Sequence, residues 1–117
     1  MTKTVELYST ADGKYPVQEF LDSLGGKDAQ KIVWVMRLLE RLDRVPTQHF
    51  KKLVGTEDIW ECRIETASGG YRVFSFFFQG DRVIFTNGYS KKSQKTDPRE
   101  IERAERYRRD FLSRHGK

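Results

Sequence analysis

Five cationic side chains lie within and just after a stretch of strand-forming residues. Arg63 and Arg72 are set among aromatic and β-branched residues, and Lys91, Lys92 and Lys95 follow in a short polar segment. An isolated buried charge is costly, so an arginine inside an apolar strand needs an anionic partner or an opening to water. Cations concentrated in this way are suited to bind phosphate groups or an acidic protein, and phosphate binding of this kind weakens as salt rises.

The stretch that carries these cations has the pattern of three antiparallel strands. Residues 59–65, 71–79 and 82–90 are rich in aromatic and β-branched side chains, and glycine-containing turns separate them. Successive side chains of a strand point to opposite faces, so Arg72 shares a face with three phenylalanines, and the other face of its strand is largely apolar too. We therefore expect this middle strand to be central and covered on both sides.

The preceding residues supply elements that could cover such a sheet. Residues 4–8 alternate weakly and predict an edge strand. Residues 16–24 and 27–42 carry apolar side chains at helical spacing, with glycines between them, and predict a helical hairpin. A short strand is expected at residues 50–54.

The C-terminal part begins with a strong helix start. Asp97 is placed as N-cap, Pro98 at the first helical position and Glu100 at the third. The elements together predict an α+β fold: an antiparallel sheet of four or five strands, an N-terminal helical hairpin on one face and a C-terminal helix near the other.

Size and composition favour one domain over residues 1–117, because a chain of 117 residues can bury one sizeable core. The single cysteine, Cys62, lies in an aromatic-rich strand and is expected to be a buried core thiol. No apolar stretch approaches the roughly 20 residues that span a bilayer, and the N-terminus lacks the layout of a signal peptide. We therefore expect a cytoplasmic protein with no membrane partner.

The net charge of +5 is concentrated in the second half of the chain. Lys51 and Lys52 lie in the short strand, where they are interpreted equally well as a solvated edge that resists aggregation and as a nucleic-acid contact. The sequence contains no metal-ligand cluster, no phosphate-cradling glycine loop and no convincing Ser-His-Asp set. We therefore predict no metal and no cofactor.

Three motifs in order carry a resemblance to a known family. They are W-E-C-R-I at residues 60–64, G-G-Y-R-V-F at 69–74, and N-G-Y-S-K-K-S-Q-K-T-D-P-R-E-I-E-R-A at 87–104. The chain resembles the RelE/ParE toxin superfamily over nearly its whole length, and within it the phage-derived, HigB-like branch of type II toxin-antitoxin toxins. A tail of the form K-K-x-x-K-T-P-x-x-E-I-x-x-A follows the final strand in that branch, and here Asp97 and Pro98 stand in place of a bare proline. The resemblance implies a RelE-like fold.

The resemblance also implies a ribosome-dependent mRNA interferase that a cognate antitoxin, often a small helix-turn-helix protein, holds inactive. In such enzymes the 2′-hydroxyl of the RNA attacks the adjacent phosphate, so the protein needs neither a metal nor a covalent nucleophile. It must help to remove a proton, neutralise a pentacoordinate phosphorane and protonate the leaving 5′-oxygen. The implied partners are mRNA, the ribosome and the antitoxin.

Roles carried over by position follow from the same resemblance. Arg72 matches the Y-R arginine that is placed against the scissile phosphate, and Arg63 matches a basic residue on the preceding strand. Lys91 or Lys92 matches the basic residue after the last strand, which is proposed to act as a general acid or a phosphate clamp.

The sequence departs from the best-known RelE pattern in the residues that could act as the general base. Glu61 stands where one basic strand residue would be, and no clear C-terminal tyrosine base is present. Either Glu61 or Tyr89 is a candidate for that role. Tyr89 and Lys95, together with Lys51 and Lys52, are the candidates for RNA contact.

Other interpretations remain open. Arg72 could be the buried ion-pair partner of Glu61 or Glu65 and serve only to order the sheet. The alternative functions are a ParE-like inhibitor of DNA gyrase and a non-toxic relative that binds RNA or an antitoxin. The lysine cluster after the last strand favours the interferase, because a gyrase inhibitor has no need of a phosphate site.

Overall fold

The computed structural model describes residues 3–42 and 48–116. In chain order the described elements are β1 (Thr4–Leu7), α1 (Pro16–Asp22), α2 (Gly26–Arg41), β2 (Phe50–Lys52), β3 (Trp60–Glu65), β4 (Gly70–Phe78), β5 (Arg82–Ser90) and α3 (Pro98–His115). Each corresponds to a predicted element, with ends that differ by at most two residues. The predicted α+β class is confirmed.

The five strands form one sheet in the order β1-β5-β4-β3-β2. Strands β2 to β5 are antiparallel neighbours, and the predicted three-stranded meander is present. Strand β1 runs parallel to β5, with Thr4 opposite Arg82, so the sheet is mixed and the prediction of an antiparallel sheet is wrong for this strand. Its direction is set by the long connection through the helices and the other strands, and side-chain alternation carries no information about strand direction.

The helical hairpin covers one face of the sheet. Pro16 opens α1, and Gly25 in an extended conformation is the N-cap of α2. Apolar side chains of both helices pack on those of β2, β3, β4 and β5 that point to this face; the buried members are Val17, Leu21, Ile32, Met36, Leu39, Phe50, Cys62, Ile64, Tyr71, Val73, Val83 and Phe85. The predicted position of the hairpin is confirmed.

Helix α3 covers the opposite face. The Asp97 side chain caps it by accepting a hydrogen bond from the Arg99 N–H. Ala104 and Phe111 are its buried residues and pack near Phe74 and Phe76 of β4. Strand β4 is therefore buried on both faces, as predicted. Within the described part of the chain, no helix is both long and apolar enough to cross a bilayer.

A bulge in the pairing of β4 and β5 decides which side chains of β5 face α3. Phe76 pairs with Ile84, but Phe74 pairs with Asn87, so one extra residue of β5 is accommodated between these pairs. An inserted residue switches the alternation of a strand. Beyond the bulge Tyr89 therefore lies on the same face as Arg72.

Candidate functional site

Three neighbouring strands place Arg63, Arg72 and Tyr89 in one row on the α3 face of the sheet. Arg63 of β3 is opposite Arg72 of β4, which in turn is opposite Tyr89 of β5. Cross-strand partners lie close enough for their side chains to interact. We call these three residues the strand row.

The segment between β5 and α3, residues 91–97, closes over Arg72. The Arg72 Nη2 donates to the carbonyl oxygen of Gln94 at 2.7 Å, and its Nη1 donates to Thr96 Oγ1 at 2.9 Å and to the Tyr89 hydroxyl at 3.5 Å. The same Tyr89 hydroxyl accepts the backbone N–H of Asp97 at 3.0 Å. Arg72 is consequently only 2% exposed and holds this segment, which we call the closing loop, against the sheet.

Glu61 balances the charge of both arginines. Its side chain has no exposed surface, and its Oε1 accepts from the Arg63 Nε at 2.7 Å. Its Oε2 accepts from the Thr96 hydroxyl at 2.7 Å and lies 3.5 Å from the Arg72 Nε. A buried carboxylate held by two guanidinium groups and a hydroxyl satisfies the requirement that buried charges be paired.

The anionic partner expected for Arg72 is therefore Glu61. Glu65, the other candidate, instead lies 3.6 Å from the Lys91 Nζ through its Oε2. The Arg72 Nε is buried and makes no hydrogen bond to any described residue, so its contact with Glu61 is an ion pair of loose geometry.

The predicted lysines divide into three groups. Lys91 is partly buried beside the row, and its backbone N–H donates to the Gly70 carbonyl oxygen at 2.9 Å. Lys92 and Lys95 are exposed in the closing loop. Lys51 pairs with Glu61 in the strand register and so shares its face, whereas Lys52 pairs with Trp60 on the other face, where its Nζ lies 3.9 Å from Asp58.

Accessibility separates the candidates for contact with a substrate. The Arg63 side chain is 37% exposed and that of Lys91 is 24% exposed, whereas Arg72 and Glu61 are covered. An anion that approaches this end of the sheet would meet Arg63 and the lysines first. Arg72 and Glu61 therefore hold the closing loop in place and do not form part of an open binding surface.

Thr96 is a site residue that the sequence analysis missed. Its hydroxyl accepts from Arg72 and donates to Glu61, so it links the closing loop to both members of the buried pair. The signal available in the sequence was the T-D-P segment, whose threonine directly precedes the N-cap of α3.

Cys62 does not belong to this site. It points to the hairpin face, is 1% exposed, and burial raises the pKa of its thiol to about 12, so its prediction as a core thiol is confirmed. Within residues 3–42 and 48–116, no three His, Cys, Asp or Glu side chains are grouped as a metal site would require.

A comparison with protein families gives a match over most of the chain. The model of a family described as "Phage derived protein Gp49-like (DUF891)" matches residues 19–109. The matched range includes β2 to β5, the closing loop and most of α3, and thus every residue of the strand row. A search of curated proteins found no matching sequence.

Proposed function

Because the chain belongs to the Gp49-like family of phage-derived proteins, we propose that it is the toxin of a type II toxin-antitoxin system and acts as a ribosome-dependent mRNA interferase. The observation that carries the proposal is the meeting of Arg63, Arg72 and Lys91 at one end of the sheet. The three motifs that resemble the HigB-like branch of the RelE/ParE superfamily include these residues. The proposed partners are mRNA, the ribosome and an antitoxin of the helix-turn-helix type, all in the cytoplasm.

The proposed reaction is a transesterification within the RNA. The 2′-oxygen forms a bond to the adjacent phosphorus while the bond from phosphorus to the 5′-oxygen breaks. A base takes the proton of the 2′-hydroxyl, and an acid gives a proton to the leaving 5′-oxygen. The extra negative charge that develops on the phosphorane must be neutralised, which is the step that cations perform best.

Arg63 is the first residue assigned to the phosphate. It is the exposed arginine of the strand row, and its Nε is oriented by Glu61, which leaves its Nη atoms for an oxyanion. Lys91 and Lys92 are assigned to the phosphate or to protonation of the leaving group.

Both candidate bases are engaged, because the Tyr89 hydroxyl accepts from Arg72 and from the Asp97 N–H, and both Glu61 oxygens accept hydrogen bonds. Tyr89 is half-buried, whereas the Glu61 side chain has no exposed surface, so accessibility favours Tyr89 over Glu61 as the base.

Arg72 has two possible roles, which differ in what they require of the closing loop. Direct contact with phosphate requires the loop to release the guanidinium from Gln94 and Thr96. A positioning role requires the loop to stay in place, with Arg72 orienting it and Glu61 while Arg63 contacts the substrate. The buried state of Arg72 supports the positioning role.

Message cleavage in a reconstituted translation system, with mapping of the new 5′ ends, tests the proposal. We expect cuts at the ribosomal A site with the wild-type protein and a rate about 10²- to 10³-fold lower with Arg63→Ala, because a charge-stabilising donor is lost. Arg106→Ala is the matched control, since Arg106 is an exposed arginine further along α3. Circular dichroism and thermal melts confirm that each variant folds.

Three outcomes contradict parts of the proposal. Equal cleavage by wild type and Arg63→Ala would remove Arg63 from the chemistry. Absence of cleavage with a DNA-damage response and intact messages in cells would point to gyrase inhibition instead. Absence of cleavage with unimpaired growth would leave a non-toxic binding protein.

A further inference from the structure

A pocket of about 370 Å³ lies at one edge of the sheet, where β5 extends beyond the end of β1. A volume of this size suits a small molecule. Helices α1 and α3, strand β5 and the segment before α1 all contribute to its lining; the residues that bear on a ligand are Lys14, Glu19, Phe20, Gly88, Arg103 and Tyr107. None of the residues around the pocket belongs to the strand row or to the closing loop, so the pocket is separate from that site.

One wall of the pocket is a part of β5 that no described strand covers on its outer side. Strand β1 ends beside Phe85, where the Tyr8 N–H donates to the Phe85 carbonyl oxygen at 2.9 Å. On the inner side of β5 the Lys91 N–H donates to the Gly70 carbonyl oxygen of β4 at 2.9 Å. Hydrogen-bonded residues alternate along an antiparallel pair, so the N–H and carbonyl groups of Gly88 point to the uncovered side. Gly88 therefore offers the pocket one main-chain donor and one main-chain acceptor.

Two aromatic rings border the same pocket, one from each face of the sheet. Phe20 of α1 lies so close to β5 that a Cβ atom at Gly88 would be 2.7 Å from its ring. Tyr107 of α3 is stacked on Tyr8, with ring centroids 4.7 Å apart. Both rings are half-buried, so their packing fixes them while part of each remains accessible. Rings held in this way suit contact with a flat aromatic group.

Two cations at the pocket have no strong partner of their own. Lys14 is exposed, and no carboxylate of the described residues lies within ion-pair distance of its Nζ. The nearby Asp12 carboxylate instead accepts from the Thr10 hydroxyl. The Arg103 Nη1 is 3.7 Å from the Glu100 carboxylate, which is an ion pair without a hydrogen bond. An ammonium and a guanidinium group that are available in this way suit a phosphate group.

The Glu19 carboxylate and the Tyr107 hydroxyl add further polar groups to the lining. Neither makes a hydrogen bond within residues 3–42 and 48–116. A carboxylate only accepts hydrogen bonds, whereas a phenolic hydroxyl both donates and accepts. The pair suits a ligand that carries hydroxyl groups, and one carboxylate against two cations leaves the lining net positive.

We propose that this pocket binds a mononucleotide. The phosphate would lie between Lys14 and Arg103, and the ribose hydroxyls would meet Glu19. The base would contact the two aromatic rings and place its polar edge against the main chain of Gly88. Nucleobases carry donors and acceptors side by side, and proteins read an unpaired base through that edge and by stacking.

The combination of groups favours a nucleotide over simpler ligands. Inorganic phosphate would use the two cations and leave the rings and Gly88 without a partner. A nucleoside would leave the cations without one. The inference does not depend on the proposed ribonuclease activity, because the pocket shares no residue with the strand row.

Isothermal titration calorimetry of the full chain with AMP, GMP, CMP and UMP tests the proposal, with inorganic phosphate and the four nucleosides as partial ligands. We expect at least one nucleotide to bind with a Kd below about 1 mM, and at least tenfold more tightly than either of its parts. The double variant with Lys14→Gln and Arg103→Gln should weaken this binding at least tenfold. Both side chains are exposed, so their replacement leaves the core intact.

The double variant with Lys27→Gln and Arg106→Gln is the matched control. It removes one lysine and one arginine at exposed positions outside the pocket, and it should bind as the wild type does. Arg63→Ala should also bind the nucleotide unchanged. Loss of binding in Arg63→Ala, with binding retained by the variant of Lys14 and Arg103, would assign the nucleotide to the strand row and overturn the proposal. The proposal is equally overturned if no nucleotide binds, if inorganic phosphate binds as tightly as the nucleotides, or if both double variants lose affinity to the same extent.

Discussion

Arg72 and Glu61 form an ion pair that is almost completely removed from solvent. Deleting one member of such a pair leaves an uncompensated buried charge, which typically costs about 3–5 kcal/mol. Arg72→Ala would therefore weaken the fold and the closing loop together, whatever its part in chemistry. Arg63 is half-exposed and shares the same carboxylate, so its replacement is the better test of a role at the phosphate.

Thr96 allows the contribution of the closing loop to be measured without changing any charge. Thr96→Val keeps the shape of the side chain but leaves one Arg72 donor and one Glu61 acceptor without their partner. We expect the free energy of unfolding to fall by about 1–3 kcal/mol, the cost of unsatisfied buried polar groups. Urea denaturation measures it. Ser93→Ala is the control in the same loop, because Ser93 is exposed; if both variants lose equal stability, the linking role of Thr96 is wrong.

Cys62 should be chemically silent in the folded protein. At pH 8 a thiol with a pKa of about 12 is ionised on the order of 10³-fold less than an ordinary cysteine with a pKa near 8.5. We expect its reaction with a disulfide reagent at pH 8 to be slower than that of the urea-unfolded chain by at least this factor. A native rate within tenfold of the unfolded rate would show that the β3 core opens readily.

At the scale of elements, periodicity explains which predictions succeeded. Alternation located β3, β4 and β5, and apolar spacing located α1 and α2, because both patterns follow from which side chains face a core. The start of α3 was located by its N-cap and proline. Periodicity did not predict the parallel direction of β1 or the bulge in β5. Strand direction depends on distant connections, and the bulge is one extra residue of β5 between Phe85 and Asn87, which the spacing of apolar residues did not reveal.

Gly88 shows how closely α1 approaches the sheet just beyond that bulge. A Cβ atom at Gly88 would lie 2.7 Å from the Phe20 ring of α1 and 3.3 Å from the backbone oxygen of Arg72. We expect Gly88→Ala to displace the ring and lower the free energy of unfolding by about 1–3 kcal/mol, as overpacking does. Thermal and urea unfolding measure the loss.

Gly69→Ala is the matched control for Gly88→Ala, because an added Cβ there meets no atom within 4 Å. It should change stability by less than about 0.5 kcal/mol, as is usual for surface substitutions. If Gly88→Ala were equally neutral, α1 would have to shift away from β5 with little loss of packing.

At the scale of the whole molecule, the sequence identified the three residues of the strand row and Glu61, but neither Thr96 nor the accessibility of these side chains. Arg63, Arg72 and Tyr89 could be placed near one another because they lie on adjacent predicted strands. The burial of Arg72 depends on the path of residues 91–97, which contain no periodic pattern, and on the hydrogen bonds that Arg72 donates to Gln94 and Thr96. Loop paths of this kind are determined by tertiary contacts rather than by local propensity.

A second ion pair, far along the sheet from the strand row, attaches the first strand to the meander. Glu6 of β1 accepts from the Arg82 Nε at 2.6 Å and from its Nη2 at 2.8 Å. The hydrogen bonds from Arg82 hold the pKa of Glu6 below its ordinary value of 4.5, although partial burial opposes them. A carboxyl group whose pKa is lower in the folded state stabilises the fold above its unfolded pKa, and this contribution is lost as the pH falls through the folded pKa.

Glu6→Gln should therefore lower the stability of the protein in a pH-dependent way. The side chains of Glu6 and Arg82 are each about one third exposed. The free energy of unfolding of the wild type should therefore exceed that of the variant by only about 0.5–1 kcal/mol at pH 7. That difference should shrink as the pH falls from about 5 through the lowered pKa, because the wild-type carboxyl becomes neutral as well. Urea denaturation of both proteins between pH 7 and pH 2.5 measures it, and 0.5 M NaCl should reduce the difference at pH 7 by screening. A difference that is constant with pH would mean that Glu6 acts through packing, and that β1 is held to β5 by its backbone pairing alone.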